Sequence, residues 1–368
     1  MARLLLQGGA YQNKSVIAAN QAAINIYPEI NPEASQSPVP VTHYQTPGLD
    51  LLIGGIALST VRCTYTSSKG VLYTVIGQTV FLVDSGWSLT ALGSVGSGST
   101  PVSMADNGLV IIIVDNTSMG YAINMATNQY GTISSNFFFG GTTVKYINTY
   151  FVFNQPNTNI FYSSLATLSG LVVQVDFATL IAGTAFQSGF FAAKSGSPDN
   201  IMTLAVIQGY VWLIGEYTTE IWYFAGPTTE TAFPFALYPG INIIEHGTVA
   251  PYSVAAQDVF PYWISQDRQG QGIIVKAENY ASKRISTHAI ENELMSYPTI
   301  ADCITYIYQQ EGHTFVVFNF PTANKTWVFD EATEQWHQRA WTDNNGVLNR
   351  HRGNCCANAY GQIVVGDW

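Results

Sequence analysis

Glu311-Gly312-His313-Thr314-Phe315-Val316-Val317-Phe318 decides the fold. A tight polar or glycine turn, here Glu311-Gly312, opens directly into a run of β-branched and aromatic residues, the signature of a β-hairpin. The same arrangement recurs along the chain. Turns at Lys69-Gly70, Asn107-Gly108, Asn148-Thr149, Gln208-Gly209, Gln257-Asp258 and Tyr360-Gly361 are followed by strand-like runs at 71–76, 109–114, 150–153, 210–214, 259–264 and 362–365. The spacing, roughly 40 to 60 residues, is that of propeller blades and not of helical repeats. Third strands are expected at 79–84, 120–124, 160–163, 220–224, 273–278 and 326–330. A repeat of this size cannot bury both faces of its own sheet, so it must stack on its neighbours around an axis. The expectation is an all-β fold, a β-propeller of about seven blades.

The first part of the chain reads differently. Prolines at Pro28, Pro32, Pro38 and Pro40 interrupt regular pairing. Val16, Ile17, Ile24, Ile26, Tyr27, Val39, Val41 and Tyr44 nevertheless need cover. Residues 1–58 are therefore expected to form an extended N-terminal arm on the outside of a propeller spanning 59–368. One short edge helix is expected over 287–297, with Thr287 as N-cap, Ile290, Leu294 and Tyr297 on one face, and Pro298 as the stop. The last repeat reaches only its second strand before Trp368, so the last blade reads as incomplete. A strand from 1–6 or from a stretch near 39–56 could close it, but the abrupt stop inside a strand pattern favours a truncated chain.

Composition narrows the function. Of 368 residues, 47% are hydrophobic and 13% aromatic, while only 10% are charged. An ordinary soluble domain carries about 25% charged residues. Such a charge-poor surface points to faces covered by other chains. A robust secreted β protein rich in Ser, Thr, Asn and Gln is the plainer alternative. With 14 basic against 24 acidic residues the net charge is −10. The densest basic cluster, Arg350-His351-Arg352, is too short to track a phosphate backbone. DNA would pass such a surface without sticking. Three leucines near the N-terminus are too few for a signal peptide, and the longest apolar runs are strand-sized, so synthesis in a cytoplasm and no membrane span are expected.

Catalytic and metal-binding patterns are sparse. No GxSxG elbow, CxxC, HxH or HxxxH occurs. The six histidines are scattered, and Cys63, Cys303, Cys355 and Cys356 read as small buried residues. The glycines at Gly93, Gly96 and Gly98 precede Pro101 and a strand, not a helix, so they read as a loop and not a phosphate cradle. Ser265-Gln266-Asp267-Arg268-Gln269-Gly270 resembles the Asp-box of propeller glycosidases, but is one residue too long and lacks the closing Trp. Seven arginines could supply a sialidase-like carboxylate site only if three converged. No catalytic residue, metal or cofactor is expected, and the protein is read as not an enzyme. The aromatic runs Phe137-Phe138-Phe139 and Phe190-Phe191, beside Gly or Ser, are either core strand ends or interface anchors, as is Tyr27 in the arm.

Several segments together resemble a known family. They are Gln21 to Glu29 (QAAINIYPE), Pro40 to Leu49 (PVTHYQTPGL), Leu72 to Phe81 (LYTVIGQTVF), Val102 to Gly108 (VSMADNG), Ile221 to Gly226 (IWYFAG) and Ala359 to Asp367 (AYGQIVVGD). They are similar to the packaged-DNA stabilisation proteins, the tail hub or tail accessory proteins of short-tailed bacteriophages. The resemblance implies a structural protein of the virion tail, assembled in the host cytoplasm. It implies a ring, hexameric in that family, beneath the portal or adaptor of the head-to-tail connector. Such a ring extends the DNA channel, retains packaged DNA without binding it specifically, and holds tailspikes, fibres, a needle or a nozzle. A propeller glycosidase or carbohydrate-binding module is the alternative. It would gather arginines and carboxylates at one end of the propeller axis, where a ring subunit would present broad uncharged faces.

Overall fold

The computed structural model describes residues 8–11, 21–31, 40–54, 59–165, 167–168, 171–172, 174–226, 232–240, 243–257, 260–266 and 272–368. Six four-stranded antiparallel sheets succeed one another along the chain: blade 1 (61–94), blade 2 (103–132), blade 3 (144–193), blade 4 (201–237), blade 5 (255–284) and blade 6 (304–338). A two-stranded sheet of Gly353–Ala359 and Gln362–Asp367 follows, hereafter the terminal hairpin. Its first strand lies between the first strands of blade 6 and blade 1, which closes the ring. The propeller thus has six full blades where about seven were expected. The seventh quoted turn, Tyr360-Gly361, belongs to the terminal hairpin.

All seven quoted turns join the first strand of a sheet to its second, although Asp258 lies outside the described residues. Four of them hold both central residues at positive φ: Asn148 and Thr149 (46° and 74°), Gln208 and Gly209 (51° and 78°), Glu311 and Gly312 (51° and 83°), and Tyr360 and Gly361 (52° and 78°). That is the type I′ geometry, whose twist matches the strands it connects.

The second strand of each blade is buried on both faces and reads as a continuous apolar run, as in Val110–Val114 and Tyr150–Asn154. Its side chains point alternately to the two adjacent blades. The core is therefore divided into seven apolar clusters, one per junction around the ring. Ile112, Val114, Phe151 and Tyr162 fill the junction of blades 2 and 3. Leu72, Val83, Ala359 and Val364 fill that of the terminal hairpin and blade 1.

Among the described residues, two α-helices decorate the blades. α1, Phe177–Ile181, sits in the long connection inside blade 3, and is capped by Asp176 in a box with Thr179. α2, His288–Ser296, starts at the N-cap Thr287 as the sequence indicates, and buries Ile290 and Leu294 between blades 5 and 6.

Within the first 58 residues, the described stretches around Gly9, Ala10 and Ala23–Tyr27 lie on blade 6, while Ile53 packs between the terminal hairpin and blade 1. Asn25 N–H donates to Gln338 O and Gln338 N–H to Ala23 O, so this stretch runs parallel to the outermost strand of the blade. Ala10 N–H donates to Trp336 O at 2.6 Å. The chain can approach so closely because residue 9 is glycine: a Cβ there would stand 2.2 Å from Trp336 O. A two-stranded ribbon, Ile26–Ile30 with Val41–Gln45, continues the contact. Tyr27 seats its ring against His313, Phe315 and His337.

Some of the buried charges in the ring are paired. Lys194, with a fully buried side chain, holds Asp199 and the Thr218 hydroxyl in a tight cluster. Burial pushes the Asp199 carboxyl up, but Lys194 and the N–H groups of Tyr217 and Thr218 outweigh it, so the carboxyl titrates below its ordinary range. A depressed carboxylate contributes stability that is complete above about pH 4 and is lost as pH falls further. Lys194→Met should cost about 3–5 kcal/mol in denaturant unfolding at pH 7, because Asp199 then stays buried without its cation. A loss under about 1 kcal/mol would show that Asp199 is satisfied by its neighbours alone.

Candidate assembly surface

The aromatic runs divide by burial. Phe138 and Phe190 are buried, Phe138 between blades 2 and 3 and Phe190 between blades 3 and 4. Tyr27 is buried between the arm and blade 6. Phe137, Phe139 and Phe191 remain 42%, 37% and 52% exposed. The exposed rings are local neighbours. Phe139 packs edge-on against Tyr162 at 5.5 Å, and Phe191 is the cross-strand partner of Tyr162. Directly opposed residues share a face of the sheet, so Phe139 and Phe191 border one buried tyrosine. The Tyr162 hydroxyl is anchored on Gly140 O. The result is a fixed aromatic edge at the junction of blades 2 and 3. Nothing in the spacing of the runs separates the exposed rings from the buried ones. That depends on which of two adjacent residues the strand turns outward.

Among the described residues, six of the cations are bonded inside the chain. Arg62, Lys194, Lys276, Arg339 and Arg350 are buried. Arg62 donates to the carbonyls of Thr100, Gly77 and Gly96. Lys276 lies between Glu278 (2.8 Å) and Glu331. Arg284 pairs with Glu291, and Arg352 with Asp367. Arg350 donates to Asn354 and lies over the Trp368 ring, and burial lowers its pKa to about 10. Of the described basic residues, Lys69 and Lys283 are exposed and without a carboxylate at ion-pair distance.

This arrangement bears on catalysis as well. Arg62 is in blade 1 and Arg284 in blade 5, each bonded within its own surroundings, so they do not converge with Arg339, Arg350 and Arg352 near blade 6. Asp267 and Arg268 of the Asp-box-like stretch lie outside the described residues. Among the described residues no three His, Cys, Asp or Glu side chains come together as a metal site would require. The four cysteines are free. Burial raises the thiols of Cys355 and Cys356 to about 11 and 12, and those of Cys63 and Cys303 further. At neutral pH they are protonated and poor nucleophiles. A surface hollow of about 570 Å³ is lined by Ile243, Glu245, His246, Tyr280 and Ser282 at the rim of blades 4 and 5. His246 is there bonded to the Ser282 hydroxyl at 2.7 Å.

Two solved structures show a distant likeness to the chain. The WD40 β-propeller domain of Doa1 shares 10% identity at a TM-score of 0.44, covering 84% of this chain and 90% of that one. The computationally designed Ika8 protein gives 10% and 0.44, covering 84% of this chain and 94% of that one. No curated protein matches the chain. The sequence profile of the phage stabilisation family, described as bacteriophage P22 Gp10, beta-propeller, matches residues 2–368. The chain belongs to this family of bacteriophage structural proteins.

Proposed function

We propose that this protein is a tail hub subunit. Copies of it form a ring beneath the portal or adaptor, extend the DNA channel, retain packaged DNA, and carry the spikes, fibres or nozzle below. It acts by shape and has no catalytic role. Family membership supports a virion component. The observation that carries the channel reading is the internal consumption of cations. A wall that must let DNA leave quickly is best built without phosphate contacts, because each neutralised phosphate adds salt-dependent affinity. Here guanidinium and ammonium groups are bonded to carbonyls, carboxylates and aromatic faces within the fold.

The free subunit should therefore bind duplex DNA no better than non-specifically, at roughly 10⁻⁴ M or weaker at physiological salt. Fluorescence anisotropy with a labelled duplex checks this. Submicromolar binding with a steep salt slope would overturn the channel-wall reading and require a basic face.

A further inference from the structure

The ring closes where the terminal hairpin meets blade 6, and that junction buries an unusual set of bases. The Arg339 guanidinium is 3% exposed, and it lies against the rings of Tyr308 and Phe315 at 5.1 and 5.0 Å. Its Nε and Nη2 have no hydrogen-bond partner, and among the described residues no carboxylate is at ion-pair distance.

Two residues away, His337 is fully buried with both ring nitrogens unpartnered. His351 stands on the other side of the junction. Its Nδ1 receives the Gly353 N–H at 3.1 Å, with the Tyr306 hydroxyl at 3.3 Å. A backbone N–H can only donate, so Nδ1 of His351 must keep its lone pair, which imidazolium lacks. The fold therefore holds His351 neutral, and it buries His337 with neither ring nitrogen hydrogen-bonded. Burial first, and the Arg339 charge second, lower His351 to about 4 and His337 well below its ordinary value.

The carboxylates Asp302 and Asp367 act on Arg350, and Asp367 is paired with Arg352. On blade 6, Asp330 is occupied by His313 (2.8 Å) and Thr333. Glu311 accepts the Tyr27 hydroxyl of the arm. Arg350, on the hairpin side, is a second cation acting on His351. Tyr27 covers His337 at 6.1 Å between ring centres. A proton taken up by His337 would sit beside the Arg339 charge, with no acceptor on either ring nitrogen.

We propose that the junction of blade 6, the terminal hairpin and the arm is an acid-opened seam. Proton uptake by His337 and His351 frees the hairpin and the arm from blade 6 while blades 1 to 5 stay folded. The sign follows from linkage. An opened seam returns each histidine to its ordinary value near 6.5, so the closed state is fully favoured above that pH and loses tenfold per pH unit per histidine below it. At pH 5 His337 alone should raise the opening equilibrium about 30-fold, and the pair about 10³-fold.

Amide hydrogen exchange of the intact chain at pH 7.5 and 5.0 tests this, with each rate divided by its intrinsic rate. The amides of Asn25, Gln338 and Cys356 report the seam, and those of Ile111 and Ile113 report blade 2. The seam amides should lose at least about 30-fold in protection at pH 5 while blade 2 keeps its own. His337→Phe and His351→Asn should each remove about 30-fold of that response. If His337→Phe does not fold, His337→Gln takes its place, and the wild-type profile remains decisive by itself. An unchanged seam, an equal loss in every blade, or a full response in both single variants would overturn the proposal.

Discussion

Tyr27→Ala should lower stability by about 3–5 kcal/mol, the range for deleting a fully buried large aromatic. The ring is 4% exposed and touches His313, Phe315 and His337 at 5.0, 5.2 and 6.1 Å, while its hydroxyl donates to Glu311 at 3.3 Å. Removing it opens a cavity under the arm and uncovers the face of blade 6. The arm has backbone bonds here only through Ala10, Ala23 and Asn25 among the described residues. The loss should therefore appear first as exchange at Gln338, and then as a lower denaturation midpoint. Burial and Glu311 push the Tyr27 hydroxyl up to about 12. A raised phenol contributes stability that is complete below about pH 10 and fades as pH climbs toward 12. Tyr27→Phe should keep most of the packing and remove that alkaline dependence. A loss below about 1 kcal/mol for Tyr27→Ala would mean that the arm is held by its backbone pairing and not by this anchor.

The second large effect is expected at the aromatic edge of blades 2 and 3. Phe137 and Phe191 are among the most exposed large rings, and they border residues fixed by Tyr162. Aromatic anchors of this kind carry 2 kcal/mol or more at a protein interface, equivalent to about 30-fold in affinity. Changing both to Ser should leave monomer stability within about 1 kcal/mol, because neither ring fills the core. It should weaken assembly onto the purified head-to-tail connector by at least about 30-fold. Sedimentation of the mixture reads the loss. Unchanged assembly would assign the edge to some other contact.

Much of the architecture was legible because the turns are written in residue types that tolerate positive φ. Gly209, Gly312 and Gly361 each sit near +80° in a tight hairpin. The central strands were legible because each is buried on both faces. Gly120–Asn124 and Ile160–Ser163 fall where third strands were expected after the hairpins.

The outer strands were not legible. Tyr130–Thr132, Phe191–Ala193 and Phe235–Leu237 have three residues each and are half exposed, so no run of β-formers marks them. The turn at Asn279 and Tyr280 also escaped notice. It has type I′ dihedrals, 48° and 62°, with no glycine to signal them. The count of blades erred for a related reason. The turn at Gly361 repeats the hairpin signal faithfully, but a signal for first and second strands says nothing of a third and fourth. At the candidate surface, sequence found the aromatic runs but not which rings face outward. It also could not show which cations are internally bonded, since Arg62 meets its carbonyl partners only through the packing of Gly77, Gly96 and Thr100.

The account rests on this chain being one wall segment of a ring on the connector. The most direct test is the mass of the complex formed when purified protein is mixed with purified portal or portal–adaptor complex. The account predicts a single closed species carrying several copies of the 40.1 kDa chain, six if the hexameric arrangement holds. A chain that remains monomeric and leaves the connector mass unchanged would contradict it.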